Sequence, residues 1–133
     1  MAKYTVRVGE LRTKIKFYIK ISAYIPGQGQ TSTWEPTETR HCRWVGSYGD
    51  QVMAAQALGV EYSATVTMRY SPDLYESLRT TQTVVVKNAD STAIVDGEPD
   101  MNNPNVYQLW GGVDNVREKN QYMEFMVRRY EGL

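Results

Sequence analysis

Residues 60–70 alternate apolar and polar side chains without a break. Val60, Tyr62, Ala64, Val66, Met68 and Tyr70 share one face, and Glu61, Ser63, Thr65, Thr67 and Arg69 share the other. A period of two marks a half-buried strand, because successive side chains of an extended backbone point to opposite faces. At about 3.3 Å per residue this strand spans roughly 36 Å. A compact domain of 133 residues has a radius of gyration of only about 14 Å. Such a strand either curves around a barrel or projects from the body. A projecting ribbon carries unpaired N–H and C=O groups, and an unpaired edge invites another copy of the chain. The feature suits an assembly component better than a self-contained enzyme.

The length fits a single domain spanning residues 1–133, able to bury roughly 65–70% of its unfolded surface. Fifteen basic and fifteen acidic residues cancel to a formal net charge of zero. A dedicated nucleic-acid binder carries a positive excess, so global charge argues against that class and leaves room for a local patch. Cys42 is the single cysteine, which rules out an internal disulfide and fits a reducing compartment. Residues 1–10 lack an apolar signal core, and no apolar run approaches membrane-spanning length. The expectation is a soluble protein, made in the cytoplasm, with no membrane partner. Ten tyrosines and three tryptophans favour strands and contact surfaces.

Residues 14–22 alternate cleanly, with Ile15, Phe17, Ile19 and Ile21 facing one way and Lys14, Lys16, Tyr18 and Lys20 the other. Pro26-Gly27-Gln28-Gly29 is a turn. Residues 31–34 pair back as its second arm, and a separate strand runs over about 38–48. Asp50 suits an N-cap and Gly59 a C′ position, with a short helix of alanine, methionine and glutamine between them. At about two turns that helix is marginal alone. Ser71-Pro72-Asp73 opens a loop or short helical turn to residue 81, and residues 83–87 form a β-branched strand. Residues 88–105 are the least regular part, with a short strand over 92–95 and a loop rich in Gly, Pro, Asn and Asp. Residues 106–115 and 121–130 form a hairpin whose inner face carries Met123, Phe125 and Val127. The predicted class is mainly β: a small antiparallel barrel or sandwich with one short helix and a long projecting loop.

Catalytic constellations are missing. His41 and Cys42 are adjacent on a predicted strand and so point to opposite faces, which defeats a Cys–His nucleophilic pair. Cys42 reads as a small core residue beside Trp44. Transition-metal sites need several His or Cys ligands, and the chain has one of each. Asp96, Glu98, Asp100 and Asn102 alternate oxygen ligands as a calcium loop does, but the glycine of the sixth position is missing and Tyr107 stands where the terminal glutamate belongs. A solvated acidic loop is the favoured reading. Gly46-Ser47-Tyr48-Gly49 and Gly111-Gly112 match no phosphate-binding motif and read as turns or bulges. No enzyme activity and no cofactor are expected. Lys14, Lys16 and Lys20 share a strand face. They read either as protection of an edge strand or as an electrostatic strip for an acidic partner.

Taken in order, Gly9-Glu10-Leu11-Arg12-Thr13-Lys14-Ile15-Lys16-Phe17, Trp34-Glu35, Cys42-Arg43-Trp44-Val45, the alanine-rich residues 53–58, the long strand 60–70, Thr83-Val84-Val85-Val86, Val106-Tyr107-Gln108-Leu109 and the closing strand 122–130 resemble the tailed-phage head–tail joining proteins, also called head-closure or stopper proteins. The resemblance covers about residues 8–130. It departs at residues 88–105, which are longer than the tight hairpin of the pattern. It implies a small β-barrel subunit, found in the virion neck and assembled in the host cytoplasm. It also implies a homo-oligomeric ring, with a dodecamer as the candidate stoichiometry. Such a ring binds below the portal and adaptor proteins, retains the packaged genome and presents a surface to a tail terminator or tail tube protein. Double-stranded DNA passes through it transiently.

In that family the loop between the second and third main strands can enter the channel as a gate, which here implicates Gly46, Ser47, Tyr48, Gly49, Asp50, Gln51, Met53 and Gln56. The partner-docking candidates are Glu10, Arg12, Lys14, Lys16 and Lys20. Asp50 is the only formal charge between Trp44 and Val60. A channel that DNA must cross quickly gains from few phosphate-binding cations. The competing reading is an OB-like barrel that holds single-stranded nucleic acid on its tyrosines and lysines. Zero net charge counts against it.

Overall fold

The computed structural model describes residues 11–46, 63–115 and 121–130. Strands β1 (Thr13–Ile25), β2 (Gly29–Gly46), β3 (Ser63–Arg69), β4 (Thr83–Lys87), β7 (Val106–Asn115) and β8 (Tyr122–Arg129) close into a barrel in the order β1-β2-β3-β8-β7-β4. Every neighbouring pair is antiparallel. A second, two-stranded sheet joins β5 (Ile94–Val95) and β6 (Glu98–Pro99). The helix α1 (Pro72–Thr80) lies between β3 and β4.

The barrel interior is filled by alternate residues of its strands. Ile15, Phe17, Cys42, Ala64, Val66, Met68, Val85, Met123, Phe125 and Val127 pack there. Each large apolar side chain so buried contributes roughly 1.5–3 kcal/mol. The long period-two strand therefore has its apolar face inside. Its described part is β3, and residues 60–62 lie outside the described residues.

α1 is a full helix where the sequence suggests a loop or short turn. Ser71 caps it, its hydroxyl accepting from Leu74 N at 3.4 Å, and proline occupies the first turn, where its missing N–H costs nothing. Leu74 and Leu78, four residues apart on one face, enter the barrel core. The predicted helix over 51–58 lies outside the described residues.

A second core lies on the outer wall. Tyr18, Trp34, Val84, Val86, Ala93, Val106 and Tyr130 pack together there. The segment 88–105 covers this wall, so β4 is buried on both faces. That is why its sequence, Thr-Val-Val-Val-Lys, does not alternate. The expected strand over 92–95 shortens to Ile94–Val95, turned back by Asp96-Gly97 with φ of 53° and 78°. Two consecutive positive φ values make the turn that matches hairpin twist, and Asp-Gly is its preferred sequence.

Two expectations about the first hairpin need correction. The arm 31–34 and the strand 38–48 are one continuous strand, β2. Phe17 pairs with Glu38 but Tyr18 pairs with Pro36, so Thr37 is an extra, bulged residue, which keeps the strand going past the proline. Ile19 is only half-buried, and Ile21 is 38% exposed. β1 pairs with β4 only from Ile15 to Ile19, and beyond that β1 and β2 leave the barrel as a two-stranded ribbon. The expected bulge at Gly111-Gly112 is present. The β7–β8 register breaks between Leu109 and Val113, and Gly111 takes a φ of 91°, which only glycine adopts freely.

Candidate docking surface

Lys14, Lys16 and Lys20 lie on the outer face of β1, opposite Ile15 and Phe17. Antiparallel pairing puts His41 beside Lys14, Thr39 beside Lys16 and Trp34 beside Lys20 on that same face. Lys16 Nζ sits 5.3 Å from the centre of the Tyr18 ring, a cation–π contact. Edge protection does not explain Lys16, because β1 is flanked by β2 and β4 there, and Lys14 lies one residue before the β4 pairing begins. Lys20 is the place where that flanking ends: its N–H donates to Gln82 O at 3.1 Å, and no strand follows on that side among the described residues. Arg12 is exposed just before β1.

Beside this strip runs a crevice lined by Leu11, Thr39, Arg40, His41, Met68 and Arg69. It opens because β2 pairs with β3 only from Arg43 to Gly46. Arg40 is held by Glu38 at 2.8 Å. With His41 and Arg69 at its rim, the crevice extends the basic character of the wall. Glu10 lies outside the described residues.

Of the gate candidates, Gly46 is described: it ends β2, half-buried, paired with Ala64. Ser47, Tyr48, Gly49, Asp50, Gln51, Met53 and Gln56 lie outside the described residues. The geometry fixes where residues 47–62 begin and end. β2 carries the ribbon at one extremity and Gly46 at the other, so this segment joins the barrel at the end remote from the ribbon.

His41 is exposed and Cys42 is fully buried, so the two point to opposite faces as the sequence implies. Burial pushes the Cys42 thiol up from 9.0 to about 12, with Lys87 pulling weakly the other way. Such a thiol is inert at neutral pH. The neutral form is favoured in the fold. This contribution to stability is therefore complete below pH 9 and is lost as pH rises from there toward 12. Thiol-reagent labelling at pH 8 should thus follow global unfolding, and fast labelling of the folded chain would contradict this placement. Lys87 Nζ lies 5.0 Å over the Trp44 ring, which meets Tyr107 edge-on at 4.7 Å.

The acidic residues gather elsewhere. From residue 88 to residue 116 there is no Lys or Arg, while Asp90, Asp96, Glu98, Asp100 and Asp114 fall there. Zero net charge thus hides a basic wall and an acidic segment, a segregation visible in the sequence that the net figure erases. Asp100 caps its own turn by accepting from Asn102 N at 2.9 Å. Among the described residues, no three His, Cys, Asp or Glu side chains converge as a metal site requires. Asp90 was not singled out by sequence, yet it organises the segment. Its Oδ1 accepts from Thr92 Oγ1 at 2.7 Å and Thr92 N at 2.9 Å, and its Oδ2 from Asn103 Nδ2 at 3.0 Å and Asn105 Nδ2 at 3.1 Å.

These bonds, the Thr92 hydroxyl first, hold the Asp90 carboxyl well below the usual carboxylate range. Its stabilising effect is present above an ordinary carboxylate pKa of about 4 and fades only as pH falls below that, toward the depressed value. Asp90→Ala should speed amide exchange across residues 92–105 while the β3–β8 ladder keeps its protection. Unchanged exchange in that segment would refute this role.

A family model described as phage head completion protein matches residues 6–129. The solution structure of protein SF1141 from Shigella flexneri 2a is similar, with a TM-score of 0.60 and 13% sequence identity over 96% of this chain and 100% of that one. At that identity the likeness concerns the fold. No curated protein matches the chain.

Proposed function

We propose a role that starts from one premise: the chain belongs to the phage head completion protein family. It is a structural component of the virion, acting in head completion. The finer reading is that it forms a homo-oligomeric ring in the neck, seated below the portal and adaptor proteins. There it retains packaged DNA and offers a surface to the tail terminator or tail tube.

The observation that carries this reading is the family match over nearly the whole chain, on a barrel whose two ends differ. One end bears the β1–β2 ribbon, and the other bears the segment 47–62. That segment contains Asp50 as its only charge up to residue 60, so a strand of DNA passing it meets no cation that would hold a phosphate. The basic strip of Arg12, Lys14, Lys16 and Lys20 suits an acidic partner surface, where complementary charge speeds and orients docking. A nucleic-acid module finds less support. Tyr18 and Trp34, the aromatics beside the lysines, are buried in the outer core and offer no open stacking face.

Replacing residues 50–58 with a short Gly-Ser linker tests the gate. The described residues already supply a closed barrel with its own core, so the variant should fold and join heads. Heads completed with it should lose DNA or fail to infect. Normal retention and infectivity would end the gate assignment and leave the neck position standing.

A further inference from the structure

The β1–β2 ribbon is built like an arm with two sticky sides. From Ile21 to Trp34 there is no formal charge, in a chain where 23% of residues are charged. Tyr24 is 74% exposed, and Ile21 and Ile25 are also exposed. The ribbon's base is clamped: Tyr18 and Trp34 are buried against Val84, Val86 and Ala93. The base is therefore fixed on the outer wall, while Ile21, Tyr24 and Ile25 beyond it stay exposed. A lone two-stranded ribbon is marginal in water and gains from a third strand. An uncharged open edge is also what proteins ordinarily avoid.

The alternation of backbone groups shows which sides are open. Lys20 N–H points toward β4, so Ser22 and Tyr24 turn theirs to that same side, where no strand follows among the described residues. Their neighbours Ile21 and Ala23 bond across to Thr33 and Thr31, which leaves Gln30, Ser32 and Trp34 facing outward on the other side. Pro36 continues that row, where a missing N–H breaks no bond within the fold. Among the described residues the ribbon thus has two open edges on opposite sides, one from β1 and one from β2.

We propose that, within the neck ring proposed above, these two edges pair with each other between adjacent copies of this chain. The ribbons then form a continuous β-belt. Rotational symmetry makes the geometry work. All ribbons in a ring point the same way, and β1 and β2 run oppositely within each. The β1 edge of one copy therefore meets the β2 edge of the next in antiparallel register, without any adjustment. The contact is heterologous, the kind that closes into a ring. Ile19, Ile21, Ala23 and Ile25 line one face of the belt, and Ser22, Tyr24, Gln30 and Ser32 line the other. DNA and strongly charged protein surfaces are poor occupants of these edges, because the edges hold no charge to meet them.

Two full-length variants test the belt. Ser22→Pro removes one outward N–H and leaves the ribbon's internal ladder intact. Ser32→Lys places a charge on the opposite edge. Both should keep the wild-type melting midpoint and lose the ring, as seen by electron microscopy of protein mixed with portal-bearing heads. In a ring of upright ribbons Ser22 of one copy stands level with Ser32 of the next, since the two pair within each ribbon. A mixture of Ser22→Cys and Ser32→Cys chains should accordingly oxidise to the heterodisulfide, with buried Cys42 taking no part. Rings that persist in both edge variants, or a homodisulfide between Ser22→Cys chains in place of the mixed one, would overturn the belt and leave the neck ring standing. A wild-type chain that makes no ring with such heads would overturn both.

Discussion

Phe17→Ala should destabilise the folded chain by about 3–5 kcal/mol in denaturant melts. Phe17 is fully buried at the centre of the barrel, its ring 6.3 Å from that of Phe125 at an angle of 57°. It is paired to Glu38 on one side and Val85 on the other, so the backbone cannot slide inward to fill the void. The cost is a lost transfer free energy plus a cavity that closed strands cannot collapse. Phe17→Leu, which keeps most of the volume, should cost less than about 1.5 kcal/mol. A loss below about 1 kcal/mol for Phe17→Ala would contradict the closed, well-packed interior. By contrast, the ribbon residues Ile21 and Ile25 are exposed in the single chain, and their truncation should barely move the melt.

Trp34→Ala should cost about 3 kcal/mol, at the low end for a buried tryptophan. The discount has a specific cause. Trp34 Nε1 is buried and finds no hydrogen-bond acceptor among the described residues, so the native indole already bears a desolvation cost. Trp34→Phe deletes that donor and keeps most of the ring, and should fall within about 1 kcal/mol of wild type. The pair of variants separates packing from polarity. Equal losses for Ala and Phe would show that the indole N–H matters and that an acceptor exists. Trp34→Ala should also free the ribbon from its clamp, visible as faster amide exchange over residues 20–34.

The sequence made the barrel legible where one face is buried and the other is wet. β3, β8 and the first half of β1 alternate because they are walls between core and solvent, and their inward residues were identified correctly. The same rule overreached at Ile19 and Ile21. Alternation reports that a strand has two unlike faces, not where the barrel ends, so it could not show that β4 stops pairing at Ile19. For residues 60–70 the pattern allowed either a strand curving around a barrel or a projecting ribbon; the described part, β3, is a barrel wall, and among the described residues the projection is β1–β2. Pro36 falls in the gap between the expected arm 31–34 and the expected strand 38–48, and a proline is tolerated inside a strand only at an edge or a bulge. The bulge at Thr37 and an outward-facing backbone nitrogen meet that condition.

Residues 88–105 hid their role because a segment that lies flat on a wall needs few apolar anchors. Ala93, Pro99 and Asn103 suffice here, tied together by Asp90 rather than by a periodic stripe. The Asp96-Gly97 turn was the one strong local signal in that stretch. The basic strip was legible as a set of residues, but its place in the fold was not. Only the register shows that Lys14 and Lys16 sit on a paired wall and Lys20 at its limit. The gate candidates beyond Gly46 lie outside the described residues, so their assignment rests on the family and on the charge pattern of the loop.

The central claim, a ring in the phage neck, is tested most directly by electron microscopy of the purified chain mixed with DNA-filled heads that carry portal and adaptor but lack this protein. The account predicts an added ring of density beneath the adaptor, on the head axis, with the heads keeping their DNA. Heads that stay bare at the portal vertex at saturating protein, or density scattered over the capsid away from that vertex, would contradict it.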